Sequence, residues 1–467
     1  MSLAQVPTEL YFECEEKAIN SLPLAKDISV LENLRQALAG PHQHHWEQAC
    51  LDKLDQMKRR GVWQPISRTP TMKTIRHHWV FDTKLDEYGN IKKVKARLLA
   101  CGDQQRPGVD CMEKYAPTAS LMSLRLLLGT ACLQCWKVCS FDVSGTYLYS
   151  LVEETVLMEP PTNFIPSLKG KVLHLQKALY GMKQAGLVGG CTCQAYLRAC
   201  VLLCAKSTCL CKCSKKGKAI IVIWIHVNNS IIASNSLTQI KEFRKAVCNS
   251  FEIKWSDTMK KIVGLECAIG GGEVTILQTR LTNAIINAYP RKIFQHDCPL
   301  PPIPKTALDE QEAVMEAMPF RLVIGFLAYL VSELRPDLAR HSTAPTGTHW
   351  TMLDHIVVYL LKTQGHGIVL CPRDCSLNLW SGELERSHLG FMLKLGEAPI
   401  LWGSKQQTVV ALSTCAAKYI AFSNSTQHLV QAMNQLTQLA QDFKKTIFCD
   451  NQAEVKVSID NLSCKRM

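Results

Sequence analysis

The sequence predicts an α+β fold that closes in a small α/β domain, and three observations carry that expectation. Apolar residues recur at helical spacing in some segments, as at Trp46, Ala49, Cys50, Leu54 and Met57, and alternate in others, as in HHWVFDTKL. Turn-forming residues separate several alternating runs into pairs that read as hairpins. From residue 371 onward, three strand patterns precede two helical ones and a final strand TIFCDN, an order that suits a small α/β domain.

Taken in order, residues 1–36 show little periodicity and are expected as a poorly ordered lead-in. The helix through Trp46 and Met57 should end before Gly61. HHWVFDTKLDEYGNIKKVKARLLACG, residues 77–102, reads as a hairpin whose turn is Glu87-Tyr88-Gly89-Asn90. SLRLLLGTACLQC is an apolar helix, and KVCSFDVSG starts as a strand that places Asp142 near its end. The proline-marked loop MEPPTNFIPSLKG leads to the strand KVLHLQ. After ALYGMKQAG the pattern is helical until Gly189-Gly190, where two glycines together cost about 2 kcal/mol relative to alanines. Residues 219–227 and 230–234 form two short strands joined by Asn228-Asn229, a pair that tolerates the positive φ of a tight turn. LVIGFLAYLVSELRPDLARH and THWTMLDHIVVYLLKT then give two helices before residue 365.

Apolar residues make up 47% of the 467-residue chain, enough for sizeable cores. The longest apolar runs stop at about ten residues, half of what a membrane helix needs. The N-terminal stretch has an acidic cluster in place of a secretory signal, so an intracellular location is expected, with cytoplasm and nucleus both open. Lys and Arg exceed Asp and Glu by 53 to 40, a formal charge of +13 that favours a polyanionic partner. The excess is spread through patches such as KKVKAR, which solvated faces explain about as well as phosphate contacts do. The 22 cysteines read mostly as buried thiols in a reducing compartment. One dense cluster, Cys191, Cys193, Cys200, Cys204, Cys209, Cys211 and Cys213, raises the alternative of a zinc module, although its C-x-C spacings are unusual for zinc and it holds no histidine.

A family resemblance rests on many motifs in order: KVKARLLACGDQQRPGVD, YAPTAS, SFDVSGTYL, VLMEPP, KALYGMKQAG, IWIHVNNSIIAS, RPDLA, THW, ILWGSKQQTVVALS and CDNQA. From about residue 37 to the end, the chain resembles the Pol polyprotein of copia-type long-terminal-repeat retrotransposons. That resemblance implies reverse-transcriptase fingers and palm over 37–285, a thumb and connecting helical region over 286–370, and a truncated RNase H-like domain over 371–467. It also implies a nucleic-acid template-primer as partner and magnesium as cofactor.

Nucleotidyl transfer by two metal ions needs a concentration of carboxylates. The resemblance assigns one to Asp142 and two more to the hairpin turn, where this chain has Asn228 and Asn229. An amide oxygen can ligate magnesium but brings no charge, so only Asp142 is left as a metal-ligand candidate and polymerase activity is expected near zero. By resemblance Lys95 and Arg97 grip the incoming triphosphate, although KVKAR also reads as a polar strand edge, and Gln184 lies near nucleotide and template. Leu187, Gly189 and Cys101 depart from the family's Arg, Trp and Arg. In the RNase H-like region, Leu377 and Leu379 stand at acidic positions and Ala416 and Lys418 replace glutamates, while Asp450 is retained. Loss of acids at both sites implies a catalytically defective transposon remnant. The alternatives are a domesticated nucleic-acid-binding protein and the cysteine metal module.

Overall fold

The computed structural model describes residues 34–40, 42–85, 91–112, 119–190, 192, 211–216, 219–226, 228–288, 320–341, 349–384, 388–406, 414–438 and 444–449. The turn expected at Glu87 to Asn90, Asp450, and five of the seven clustered cysteines lie outside them, as does most of the 1–36 lead-in. In chain order the elements are α1 (Leu34–Ala39), α2 (Gln43–Arg59), β1 (Trp63–Ser67), β2 (His77–Leu85), β3 (Ile91–Ala100), α3 (Leu121–Leu133), β4 (Lys137–Val143), β5 (Leu151–Met158), β6 (Lys171–Lys177), β7 (Cys211–Lys216), β8 (Ala219–His226) and β9 (Asn229–Ser234). There follow α4 (Leu237–Cys248), β10 (Ile253–Ser256), β11 (Lys261–Ile262), β12 (Leu265–Gly270), β13 (Glu273–Leu277), α5 (Thr279–Ala288), α6 (Phe320–Glu333), α7 (His349–Lys362), β14 (Ile368–Leu370), β15 (Ser376–Leu384), β16 (His388–Leu395), β17 (Ala398–Gln406), α8 (Thr414–Gln438) and β18 (Lys444–Cys449). The mixture is the expected α+β.

The chain divides into two compact units, residues 1–117 with 145–197, and residues 118–144 with 198–467. In the first, α2 buries Trp46, Cys50, Leu54 and Met57, the stripe that its sequence spacing lays on one face. Of these, Cys50, Leu54 and Met57 join a core with Leu98, Met158, Leu173 and Leu175 from the sheet β1-β6-β5 and the ladder β2-β3, while Trp46 packs edge-on against Phe81. Two motif glycines meet here: a Cβ on Gly102 would lie 2.0 Å from the carbonyl oxygen of Gly181, and one on Gly181 2.2 Å from that of Ala100. The segments LLACG and ALYGM therefore need glycine because their backbones touch.

The helix after ALYGMKQAG runs unbroken over 185–190, through both glycines expected to end it. Packing supplies the reason at one of them. A Cβ on Gly189 would fall 2.5 Å from Cδ1 of Tyr147, whereas nothing lies within 4 Å of one on Gly190. Tyr147 sits edge-on against Tyr180 with ring centroids 4.7 Å apart, so the space a larger residue at 189 would need is already filled.

In the second unit α3, apolar except at Ser123, Arg125 and Thr130, is buried on all sides, as so apolar a sequence requires. Ser120 caps it, accepting from the Ser123 backbone N–H at 3.2 Å. The helix packs on the sheet β10-β4-β9-β8-β7, and the same core continues through α6 and α7 into the sheet β17-β16-β15-β18. Arg125, 2% exposed, pins this core. Its guanidinium donates to the carbonyls of Ile400, at 3.1 Å, Ser332, at 3.3 Å, and Glu333, and stands 4.2 Å above the Trp402 ring. Burial pulls it down to about 10, partly opposed by the nearby Glu333 carboxylate. A second pin comes from RPDLA: buried Arg335 holds Asp337 and donates to Thr363 Oγ1 at 2.9 Å.

Strands β15, β16 and β17 are antiparallel neighbours, and β18 runs parallel beside β15. The two helices expected between β17 and β18 are one helix, α8. Ala417, Ala421, Ser425, Leu429, Ala432 and Leu436 make a continuous buried stripe along it. The polar stretch that looked like a break stays helical because this stripe is buried through it, with Ser425 reaching Ser381 at 2.8 Å, while Asn424 and Thr426 turn their polar groups back to the Ile420 and Phe422 carbonyls.

Candidate active site

Strand β4 carries Asp142 near its end, as its pattern predicts, and pairs with β9 in the register Asp142↔Asn229. Strand β8 ends at His226, which pairs with Asn229 across the hairpin. The sequence reading put both asparagines in the turn, and this is corrected: Asn228 lies in the turn, while Asn229 is the first residue of β9. The two ladders explain the difference, since Asn229 stands in register with Asp142 of β4 on one side and with His226 of β8 on the other. On the far side of β4, Lys254 of β10 pairs with Asp142. Lys254, Asp142, Asn229 and His226 thus form one row across four strands, and residues directly opposite share a face of the sheet.

Side-chain bonds then close the cluster. Asn228 Nδ2 donates to Asp142 Oδ1 at 2.9 Å, Asn229 Nδ2 donates to Asn228 Oδ1 at 3.2 Å, and the Val143 backbone N–H donates to the Asn228 carbonyl at 3.0 Å. All three side chains are half-buried. His226 Nδ1 lies 3.2 Å from the Ala119 carbonyl, and its ring stacks on Trp224 at 5.6 Å.

This donor set does not fit a pair of magnesium ions. Hard dications held close together need several carboxylates, and the cluster contains one. An N–H donor, rather than a cation, already faces that carboxylate. Among the described residues no group of three or more His, Cys, Asp or Glu is placed to hold a metal ion.

The other candidates belong to the first compact unit. Lys95 and Arg97 share one face of β3 while Ala96 and Leu98 fill the core on the other. Arg97 donates to Asp82 at 3.0 Å, so part of its charge is paired on the strand edge. Gln184 is 1% exposed. Its Oε1 accepts from Gln105 Nε2 at 3.0 Å, and its own Nε2 donates to the Asp110 carbonyl at 2.9 Å. Gln105 also accepts from the Lys183 backbone N–H at 2.8 Å, which clamps the GDQQRPGVD loop to the YGMKQ turn. Arg106 forks onto Asp110 through two hydrogen bonds, 2.8 and 2.7 Å. That guanidinium holds the Asp110 carboxyl below the usual carboxylate range, against the opposing effect of burial. A cavity of about 1010 Å³ opens beside Gln184, lined also by Tyr149, Glu153, Glu154 and Leu187.

In the C-terminal sheet Leu377 and Leu379 are fully buried side by side on β15, within the hydrophobic core. Lys418 is half-buried on α8, which also contains Ala416. Sequence reasoning missed Lys254 and His226 as neighbours of Asp142, because cross-strand register is invisible in a single segment. It also missed Gln105 and Asp110, although the Pro-Gly pair in QQRPGVD did signal a tight loop.

Comparison with known proteins adds the following. Residues 60–293 match the family model described as reverse transcriptase (RNA-dependent DNA polymerase). The chain is 27% identical over 468 residues to the retrovirus-related Pol polyprotein from transposon RE2 of Arabidopsis thaliana, covering 95% of this chain and 31% of that one. It is 27% identical to the corresponding RE1 polyprotein of the same plant, covering 92% of this chain and 30% of that one. To the TNT 1-94 polyprotein of Nicotiana tabacum it is 24% identical, covering 92% and 34%. The chain thus spans about a third of the length of the curated relatives it matches. A solved structure of the foamy viral protease-reverse transcriptase in complex with double-stranded DNA is similar with a TM-score of 0.45 and 11% identity, covering 88% of this chain and 64% of that one.

Proposed function

The chain belongs to the reverse transcriptase (RNA-dependent DNA polymerase) family, as found in copia-type retrotransposon Pol polyproteins, and from that premise we propose that this copy retains the polymerase fold while lacking polymerase activity. One observation carries the proposal: Asn228 donates an N–H to the single remaining carboxylate, Asp142. A metal-dependent polymerase needs carboxylates there to neutralise two dications, and an amide donor brings neither the charge nor the right polarity. Each 1.4 kcal/mol lost from transition-state stabilisation is about tenfold in rate, so the loss of two charged ligands predicts orders of magnitude.

On this reading residues 37–285 are fingers and palm, 286–370 a thumb and connecting helical region, and 371–467 an RNase H-like domain. The order β17-β16-β15-β18, with β18 parallel to β15 and α8 packed on the sheet, supports the last assignment. Fully buried Leu377 and Leu379 favour its being silent too, since a hydrolytic metal site needs solvent-facing acids. The partner is a nucleic-acid template-primer, in keeping with the family and the +13 charge.

Primer extension on an RNA template, with magnesium or manganese, tests the proposal beside the Asn228→Asp/Asn229→Asp double variant. No extension by the natural chain is expected. Robust extension by it overturns the reading.

A further inference from the structure

We propose that Cys132 and Cys371 are a redox-sensitive pair that closes into a disulfide, tying the C-terminal end of α3 to the segment that joins β14 to β15. The proposal stands apart from the silent-polymerase reading and does not depend on it. The two cysteines lie far apart in the sequence but in the same compact unit. Helix α3 packs on β14. One turn before Cys132, a Cβ on Gly129 would lie 3.9 Å from Cγ of Pro372, the neighbour of Cys371. The two cysteines are therefore carried on segments already in contact.

Electrostatics bring the sulfurs themselves together. Burial first, then the nearby Cys371, Cys135 and Glu273, push the Cys132 thiol up to about 11. Raised thiols are also found at Cys50, Cys101, Cys139 and Cys267, and at none of these does a second thiol contribute. Of its two sulfur neighbours, Cys371 acts on Cys132 the more strongly. Cys135 is exposed, on a residue with φ 52° just past the helix, while Cys132 and Cys371 are half-buried. Among the described residues no three such groups converge to hold a metal ion, so the chemistry open here is between two sulfurs.

A peroxide supplies the oxidant. At neutral pH Cys132 is almost wholly the protonated thiol, so Cys371 takes the first step and Cys132 the second. The Cys371 thiolate attacks one peroxide oxygen, forming S–O as O–O breaks; the other oxygen leaves as water and the sulfur becomes a sulfenic acid. Cys132 then gives up its proton and attacks that sulfur, forming S–S as S–O breaks and a second water leaves. Two thiols and one hydrogen peroxide thus yield one disulfide and two waters.

The full chain is tested by exposing it to hydrogen peroxide, capping the remaining thiols with N-ethylmaleimide and digesting with trypsin without reductant. Cleavage after Arg373 separates Cys371 from Cys375, and mass spectrometry is expected to find the Cys371 peptide joined to the one that carries Cys132 and Cys135. Cys135→Ser, at an exposed position, should keep this link and Cys132→Ser should lose it, which assigns the sulfur. The oxidised chain should also unfold at higher urea than the reduced one, since a disulfide closing so long a loop restricts the unfolded chain. An unlinked Cys371, a bond within the Cys132 peptide, a link that survives Cys132→Ser, or a link formed only after unfolding in urea each overturns the inference.

Discussion

The Asn228 side-chain amide donates to the Asp142 carboxylate at 2.9 Å, tying the hairpin turn to the adjacent strand. A hydrogen bond to a charged group contributes about 1.5–3 kcal/mol, so Asn228→Ala should lower unfolding free energy by an amount in that range. Asn228→Asp should be worse in chelator, because an acceptor then faces an acceptor. Thermal melts in EDTA check both, and an Asn228→Asp protein as stable as the natural one would count against the bond's importance.

Glycines 189 and 190 should respond in opposite directions to alanine. Helix propensity favours alanine by about 1 kcal/mol at either position. Gly190→Ala should realise that gain, having open space around it, while Gly189→Ala must displace the Tyr147 ring and should lose stability. Urea midpoints of the two variants, measured side by side, decide the matter.

Arg125→Met should be strongly destabilising although it replaces a buried charge with an apolar chain of similar length. The carbonyls of Ile400, Ser332 and Glu333 would lose their shared donor in a dry core, at a cost of about 3 kcal/mol. Arg125→Lys should recover only part of this, since one ammonium cannot reproduce the planar fork. Denaturant titrations of both variants give the comparison.

Acid sensitivity should have a component at Asp110. Its folded carboxyl is held below the ordinary value by the Arg106 guanidinium, so the unfolded chain takes up protons more readily. The resulting stabilisation is fully present at neutral pH and is lost as pH falls below about 4, the unfolded carboxylate value, toward the lower folded one. Asp110→Asn abolishes this dependence. The stability gap between natural chain and variant should therefore narrow in urea titrations stepped from neutral to acid pH.

Leu377→Asp should not create a metal site. The position is fully buried among apolar side chains, and replacing such a leucine with an unpaired acid costs roughly 3–5 kcal/mol. Circular dichroism of the variant should show a lowered melting temperature that added magnesium does not correct.

Local pattern revealed most of the scaffold. The stripe on α2, the mostly apolar α3 and the alternating β2 and β3 were each readable because their burial follows their own periodicity. The errors came where distant residues decide. Asn229 is strand because β4 pairs with it, and the helix crosses Gly189 because Tyr147 packs there. In α8 the stretch around Ser423 and Asn424 looks helix-breaking until the buried alanine and leucine stripe on its other side is seen. The Asp142 and asparagine cluster was legible only through motif order, which joins segments far apart in sequence. The row that adds Lys254 and His226 needed the register of four strands.

Burial of Leu377 and Leu379 also bears on the direction of change over generations. Acids held at a catalytic edge are unstable company, and a leucine in their place stabilises the sheet by sinking into the core. Once neighbouring side chains have closed around it, a reverse substitution meets a filled interior instead of a vacant ligand position. On the proposed reading, in which acids once stood at 377 and 379, loss at β15 works as a ratchet, whereas Asn228 and Asn229, half-buried and isosteric with aspartate, can be exchanged without opening a filled core.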